Sequence, residues 1–168
     1  MMKLEIKEGY EYKEEIKKLF IEYTNSLIEG DSSFKDYLAV QNYDQEVEHL
    51  EEKYGRPSGR LYIAIYDGKV AGCIALKKLD NDNCEMKRLY VRSEFRGEHI
   101  GFNLANKIIE EAKLIGYKSI LLDTLPFLKS AIKMYKAIGF YEIDKYNNSP
   151  MDNAIYLKLD LDRYNNMN

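Results

Sequence analysis

The residue types that build metal centres and disulfide frameworks are scarce in this chain of 168 residues. Tryptophan is absent, and histidine and cysteine occur twice each. Cys73 and Cys84 do not stand in the short C-x-x-C spacing of a zinc ligand pair. The sequence therefore predicts no metal site. Both cysteines are interpreted as small apolar strand residues, because no histidine or asparagine stands at a motif-like position to activate a thiol.

Long apolar runs are also missing. No stretch of about 18 apolar residues occurs that could span a membrane. The start Met1-Met2-Lys3, followed by alternating Leu4 and Ile6, lacks the apolar run of a signal peptide. We therefore expect a cytoplasmic protein with reduced thiols and no membrane partner.

An excess of basic charge is absent as well. The chain has 25 Lys and Arg residues against 28 Asp and Glu residues, a net charge of -3, and the basic residues are spread along it. This pattern gives no electrostatic footprint for nucleic acid or for an anionic membrane. Neither partner is expected.

The chain does contain enough apolar material for a core. Hydrophobic residues make up 45% of it and charged residues 32%, in a length typical of one compact domain. We therefore predict a single domain over residues 1–168.

Helices are predicted in the first third of the chain. Apolar residues at three- and four-residue steps predict a helix over 11–28, which Gly30 ends. A second helix is predicted over 43–54, with Asp44 as its cap. The segment Asp31–Asn42 between them is interpreted as a loop.

Strands follow these helices. The apolar runs Leu61–Tyr66 and Val70–Leu79 flank Asp67-Gly68-Lys69, and an Asp-Gly step between two such runs favours a hairpin. A further run over Cys84–Arg92 predicts a third strand. The three strands together predict an antiparallel meander.

The second half of the chain alternates helices and strands. A helix over Gly101–Ile115 leads to a short buried strand over Ser119–Leu122, which predicts a βαβ unit with two parallel strands. A helix over Lys129–Ile138 and strands over Phe140–Ile143 and Ala154–Leu161 follow. The expected fold class is α/β, with a mixed, mostly antiparallel central sheet, a βαβ unit and flanking helices.

The loop Arg96–Gly101 is a candidate phosphate site. It connects a strand to a helix, so its backbone N–H groups and the first turn of the helix point the same way. Arg96 could add a charge-assisted hydrogen bond. The spacing fits neither the three glycines of a dinucleotide fold nor a P-loop.

Four segments, Glu85–Val91, Phe95–Gly97, Ile100–Gly101 and Ala131–Phe140, resemble in order and spacing the motifs of the GNAT superfamily of N-acetyltransferases. The resemblance implies the acyl-CoA N-acyltransferase fold. It also implies acetyl-coenzyme A as co-substrate and direct attack by a primary amine in a ternary complex.

The resemblance also implies a cofactor site. The strand ending at Leu89–Val91 should part from the strand at Ile120–Leu122, which would leave backbone groups free to pair with pantetheine. The family's loop often has glycine where His99 stands; a non-glycine residue there can still donate its N–H if its backbone stays at negative φ, but glycine has more freedom to wrap the phosphates. Leu128 stands where many members have asparagine. The implied cofactor-binding residues are Leu89, Tyr90, Val91, Arg96, Gly97, Glu98, His99, Ile100, Gly101 and Phe102.

Two side chains carry the implied chemistry. Glu85 stands where some members have their general base, which must neutralise an ammonium directly or through water. Tyr135 matches the tyrosine that protonates the departing sulfur. A backbone N–H near Leu89 would stabilise the oxyanion.

The acceptor amine, a small molecule or a peptide, is not identified by these residues. Its site would be walled by the first two helices, by Asp31–Asn42 and by Tyr146–Asn153. A non-catalytic acetyl-coenzyme A sensor on the same fold, or an interaction protein without cofactor, are the alternatives. The closing strand Ala154–Leu161 could pair across a homodimer or pack inside the monomer, and His49 is interpreted as a surface residue.

Overall fold

The computed structural model describes residues 3–162. The predicted domain boundaries at residues 1 and 168, and the start Met1-Met2, lie outside that range. The strands are β1 (Leu4–Glu8), β2 (Arg60–Tyr66), β3 (Lys69–Lys78), β4 (Asn83–Val91), β5 (Ser119–Thr124), β6 (Tyr141–Ile143) and β7 (Ile155–Asp160). The helices are α1 (Lys13–Gly30), α2 (Phe34–Val40), α3 (Tyr43–Glu48), α4 (Leu50–Tyr54), α5 (Ile100–Ile115) and α6 (Lys129–Ile138), with 3-10 turns at Gly9–Glu11 and Ser93–Phe95.

The seven strands form one sheet in the order β1-β2-β3-β4-β5-β7-β6. Neighbours are antiparallel except β4 and β5, which are parallel and are joined through α5. The meander, the βαβ unit and the expected fold class are confirmed. The β2–β3 turn has positive φ at both Asp67 (52°) and Gly68 (80°), which matches the twist of the hairpin it closes.

Alternation along the strands divides the core between the two faces of the sheet. On β2, Tyr62 and Ala64 pack with the apolar stripe of α5, whereas Leu61 and Ile63 pack with α1 and α4. A smaller cluster joins the ends of α1 and α2 to the segment after β5. Both cysteines are buried and free, and burial raises the pKa of each thiol, which keeps it protonated and apolar.

The structure corrects several sequence predictions. β1 was not predicted, and α2 lies inside the predicted loop Asp31–Asn42. The predicted helix over 43–54 is two short helices, α3 and α4, which are separated at the exposed His49. The residue at the N-cap of α3 is Asn42, whereas the predicted cap Asp44 lies in the first turn of that helix. Strand β7 lies between β5 and β6, so it packs inside this chain rather than at a sheet edge.

Residues 3–162 lack two features. No helix there is long and apolar enough to cross a membrane. No group of three or more His, Cys, Asp and Glu side chains there could hold a metal ion.

Candidate active site

A cavity opens where β4 and β5 part. The two strands pair only from Asn83–Ser119 to Glu85–Leu121, although β4 continues to Val91. This divergence confirms the predicted parting of the strands. A cavity of about 680 Å³ lies there, lined by both strands, by α1, α2 and α6, and by the loop that precedes α5.

A bulge in β4 shapes one wall of the cavity. Arg88 has φ 60°, and the β3–β4 register shifts between Cys73 and Ala75. In a regular strand the neighbours Lys87 and Arg88 would point to opposite faces. Because the bulge turns the chain, both line the same cavity.

The loop before α5 lies at one end of the cavity. Its residues Arg96, Gly97 and His99 line the cavity, as do the residues after them at the start of the helix, Gly101 and Phe102. No side chain caps the N-terminus of α5, so the N–H groups of its first turn lack a side-chain acceptor.

The backbone of His99 adopts an unusual conformation for a residue other than glycine. Its φ is 60°, in the left-handed region, so the condition of negative φ stated for a non-glycine residue is not met. Histidine is among the non-glycine residues that adopt this conformation more often than most. The loop therefore keeps the backbone form that glycine favours.

The other implied cofactor residues divide into two groups. Leu89, Tyr90 and Val91 of β4 line the cavity. Glu98 and Ile100 are not among the lining residues: the carboxylate of Glu98 accepts a hydrogen bond from Tyr66 at 3.0 Å, and Ile100 is buried in the core.

Tyr135 lines the cavity from α6. Its ring packs against Phe140 at 5.6 Å between centroids. Among residues 3–162 its hydroxyl has no hydrogen-bond partner. Burial raises the pKa of the Tyr135 phenol well above its usual range, and Tyr23 and Asp123 add to the shift, so the phenol keeps its proton. Leu128, at the position of the family asparagine, lines the cavity beside it.

Glu85 is buried, 4% exposed, and is not among the residues that line the cavity. Its carboxylate accepts a 2.5 Å hydrogen bond from the Tyr146 hydroxyl and lies 3.7 Å from Lys87 Nζ. Burial raises the pKa of Tyr146, and the Glu85 charge adds to it, so Tyr146 remains the donor. Of the two residues that contact the Glu85 carboxylate, Lys87 lines the cavity, so Glu85 is connected to the cavity through Lys87.

The carboxylate that does line the cavity is Asp123, which our sequence reasoning missed. It accepts hydrogen bonds from the Tyr37 hydroxyl and from Asn147 Nδ2, the latter at 2.9 Å. Asp123 is the first charged residue after the apolar run of β5. Because ligands of open α/β sheets bind beyond the carboxyl ends of parallel strands, its position offered a signal.

The cation pair Lys87 and Arg88 was also missed. Arg88 donates to both carboxylate oxygens of the buried Glu46, and its guanidinium lies 5.4 Å from the Tyr43 ring centroid. Burial lowers the pKa of Lys87, and the Arg88 charge lowers it further, against the opposite effect of Glu85. The sequence signal was the presence of two successive cationic residues inside a strand, which indicates that the side chains do not alternate between the two faces of the sheet at this point.

Comparison with known proteins gives concordant results. Residues 20–140 match the acetyltransferase (GNAT) family. An uncharacterised N-acetyltransferase of Schizosaccharomyces pombe is 38% identical over 128 residues, which cover 75% of this chain and 78% of that protein. The N-acetylaspartate synthetase of Danio rerio is 33% identical over 96 residues, 56% of this chain and 34% of that protein. The structure of a GNAT acetyltransferase from Staphylococcus aureus superposes with a TM-score of 0.74 at 25% identity, over 95% of this chain and 99% of that one.

Proposed function

The chain belongs to the acetyltransferase (GNAT) family and is an acyltransferase, and we propose that it moves an acetyl group from acetyl-coenzyme A directly to a primary amine within a ternary complex. The observation that carries the proposal is that one cavity joins the loop before α5, Tyr135 and the Asp123 carboxylate at the gap between β4 and β5. A cytoplasmic location stays a prediction.

The residues around the loop fit the co-substrate. The N-terminus of α5 has no side-chain cap, so its first N–H groups and the positive end of its dipole can bind a diphosphate. Arg96 supplies a cation to the same end of the cavity. The end of β4 at Leu89–Val91, which β5 does not pair with, would hold the pantetheine arm, and acetyl-coenzyme A would supply the reactive thioester.

Tyr135 is proposed as the general acid. Transfer forms a carbon–nitrogen bond and breaks the carbon–sulfur bond, and the departing thiolate needs a proton. The Tyr135 hydroxyl is protonated, lines the cavity and is not engaged by any described residue. It can therefore donate to a group inside the cavity.

Glu85 is proposed as the base that receives the proton of the ammonium. Because it is buried and outside the cavity lining, the proton must reach it through Lys87, Tyr146 or water. The backbone at the β4 bulge near Leu89 is proposed to donate to the oxyanion, because preorganised donors aimed at developing charge lower the barrier.

The proposal is tested in two steps. Thermal unfolding with and without acetyl-coenzyme A should show a clear rise in Tm, since a ligand that binds only the native state stabilises it. Release of coenzyme A thiol is then measured with a panel of primary amines that includes aspartate, the acceptor suggested by the relative's name. A rise in Tm without thiol release from any amine would favour the sensor alternative, and no rise at millimolar ligand would contradict both.

A further inference from the structure

Two cations converge on one neutral oxygen in the cavity wall. Lys87 Nζ donates to Gln41 Oε1 at 2.9 Å, and Arg88 Nη2 donates to the same atom at 2.5 Å. All three side chains line the cavity. A carboxylate oxygen accepts charge-assisted hydrogen bonds more strongly than an amide oxygen. The position of the Gln41 oxygen therefore suits a carboxylate oxygen better than it suits the amide oxygen that lies there.

The fixed charges around the two cations are unequal. Glu46 is shared between Arg88 and Lys53, at 2.8 Å and 2.9 Å, and Glu85 lies 3.7 Å from Lys87. Three cations thus contact two carboxylates in this group. Since Lys87 and Arg88 are the members of the group that line the cavity, the surplus positive charge lies at the cavity wall.

Asp123 supplies the opposite charge in the same cavity. Among the described residues that line it, Asp123 has the one carboxylate side chain. Tyr37 and Asn147 hold this carboxylate by hydrogen bonds. Burial lowers the pKa of Lys87, and the smaller effect of the Asp123 charge opposes it.

We propose, on the premise of the transferase function above, that the acceptor is an amine that carries a carboxylate, such as a free amino acid. Lys87 and Arg88 bind its carboxylate where the Gln41 oxygen now lies, and Asp123 attracts its ammonium group. An acceptor with only positive charges would place one of them against two cations, which is unfavourable.

The test uses acceptors in matched pairs. Glycine, β-alanine and L-aspartate are each compared with the corresponding amide, and 1,4-diaminobutane represents a purely cationic acceptor. The key variant is Gln41→Glu, which places a carboxylate between the two cations. Gln45→Glu is the matched control, because Gln45 lies exposed on α3, outside the cavity lining, and the charge change is the same. Asp123→Asn removes the proposed ammonium partner.

For the wild-type protein we expect kcat/KM to favour at least one carboxylate over its amide by about tenfold or more. Gln41→Glu should remove most of that preference by raising KM for the carboxylate about tenfold, with the amide changed less than about twofold. Gln45→Glu should keep the preference. Asp123→Asn should raise KM for both members of a pair.

Three results would overturn the inference: equal rates within every pair, a preference for the diamine, or equal losses for both members of a pair in Gln41→Glu. In each of these cases, thiol release would still support the transferase function. Binding of the same pairs in the presence of coenzyme A, measured by calorimetry, separates the two ideas. Carboxylate-selective binding that Gln41→Glu abolishes would support the anion site even without acetyl transfer. Absence of such selectivity would overturn it.

Discussion

The Arg88 guanidinium donates two hydrogen bonds to the Glu46 carboxylate, from Nε to Oε2 at 2.8 Å and from Nη2 to Oε1 at 2.9 Å. Both side chains are buried. Glu46 belongs to α3 and Arg88 to the bulge of β4, so this contact fixes a short helix to the strand that forms the cavity wall. A paired geometry of this kind is specific in direction as well as favourable.

Glu46→Gln should destabilise the protein by about 3 kcal/mol, because it leaves a buried guanidinium without its counter-charge. Chemical denaturation with a two-state fit measures the loss. Glu48→Gln on the same helix is the control: Glu48 is exposed and pairs with Lys17 at the surface, so its loss should be much smaller. Equal losses in the two variants would contradict the account.

The same contact predicts an acid-sensitive stability. Burial alone would raise the pKa of Glu46, but Arg88 and Lys53 lower it from 4.5 to about 2. A lowered folded-state pKa contributes stability that is complete above pH 4.5 and lost as the pH falls toward 2. The free energy of unfolding of the wild type should therefore fall more steeply over this window than that of Glu46→Gln. Parallel pH profiles would refute the assignment.

The sequence predicted the parts of the fold that depend on local pattern. The hairpin at Asp67-Gly68 and the helix that becomes α5 followed from turn residues and apolar periodicity. The short strand β1 and the short helix α2 did not, because each owes its form to contacts far along the chain: β1 pairs with β2, and Phe34 of α2 packs in a cluster with Leu125 and Met151.

The candidate site divides in the same way. Tyr135 and most of the loop before α5 came from motif order, and the structure places them on the cavity. Asp123, Gln41 and Arg88 were missed because their meeting depends on where two strands part and on a bulge that breaks alternation. Register irregularities of this kind leave only a weak trace in a single sequence.

The loop conformation at His99 yields a prediction about stability and binding. His99→Val should lower stability by about 1–2 kcal/mol and weaken acetyl-coenzyme A binding, because a β-branched residue resists the left-handed φ of 60°. His99→Gly should keep or improve both. Thermal unfolding and a binding isotherm measure the two effects. His49→Val is the control, since His49 is exposed and has a negative φ of -134°, so the substitution brings no left-handed strain; a similar loss there would remove the strain explanation.

The free hydroxyl of Tyr135 yields a prediction about catalysis. Tyr135→Phe should lower kcat by about 100-fold, the scale of general acid catalysis, with little change in Tm or in acetyl-coenzyme A affinity. The rate is measured as released thiol. Tyr117→Phe is the matched control: the Tyr117 hydroxyl donates to the Ser58 carbonyl at 2.7 Å, outside the cavity lining, so its loss should affect stability and not kcat. An unchanged kcat in Tyr135→Phe would reject Tyr135 as the acid.

The close approach of β3 to the cavity end of β4 yields the last prediction. A Cβ at Gly72 would lie 2.4 Å from the Tyr90 carbonyl oxygen and 3.2 Å from Val91 Cα, and both are backbone atoms. Gly72→Ala should therefore displace the β4 segment proposed to hold pantetheine, lower stability by about 1–3 kcal/mol and weaken acetyl-coenzyme A binding. Gly101→Ala gives the contrast in stability, because the nearest atom to its Cβ is Val91 Cγ2 at 3.7 Å and alanine is the better helix former. An unchanged free energy of unfolding in Gly72→Ala would mean that β4 can move away from the added methyl group without loss of stability. The end of β4 would then not be the rigid edge that the proposed binding of the pantetheine arm requires.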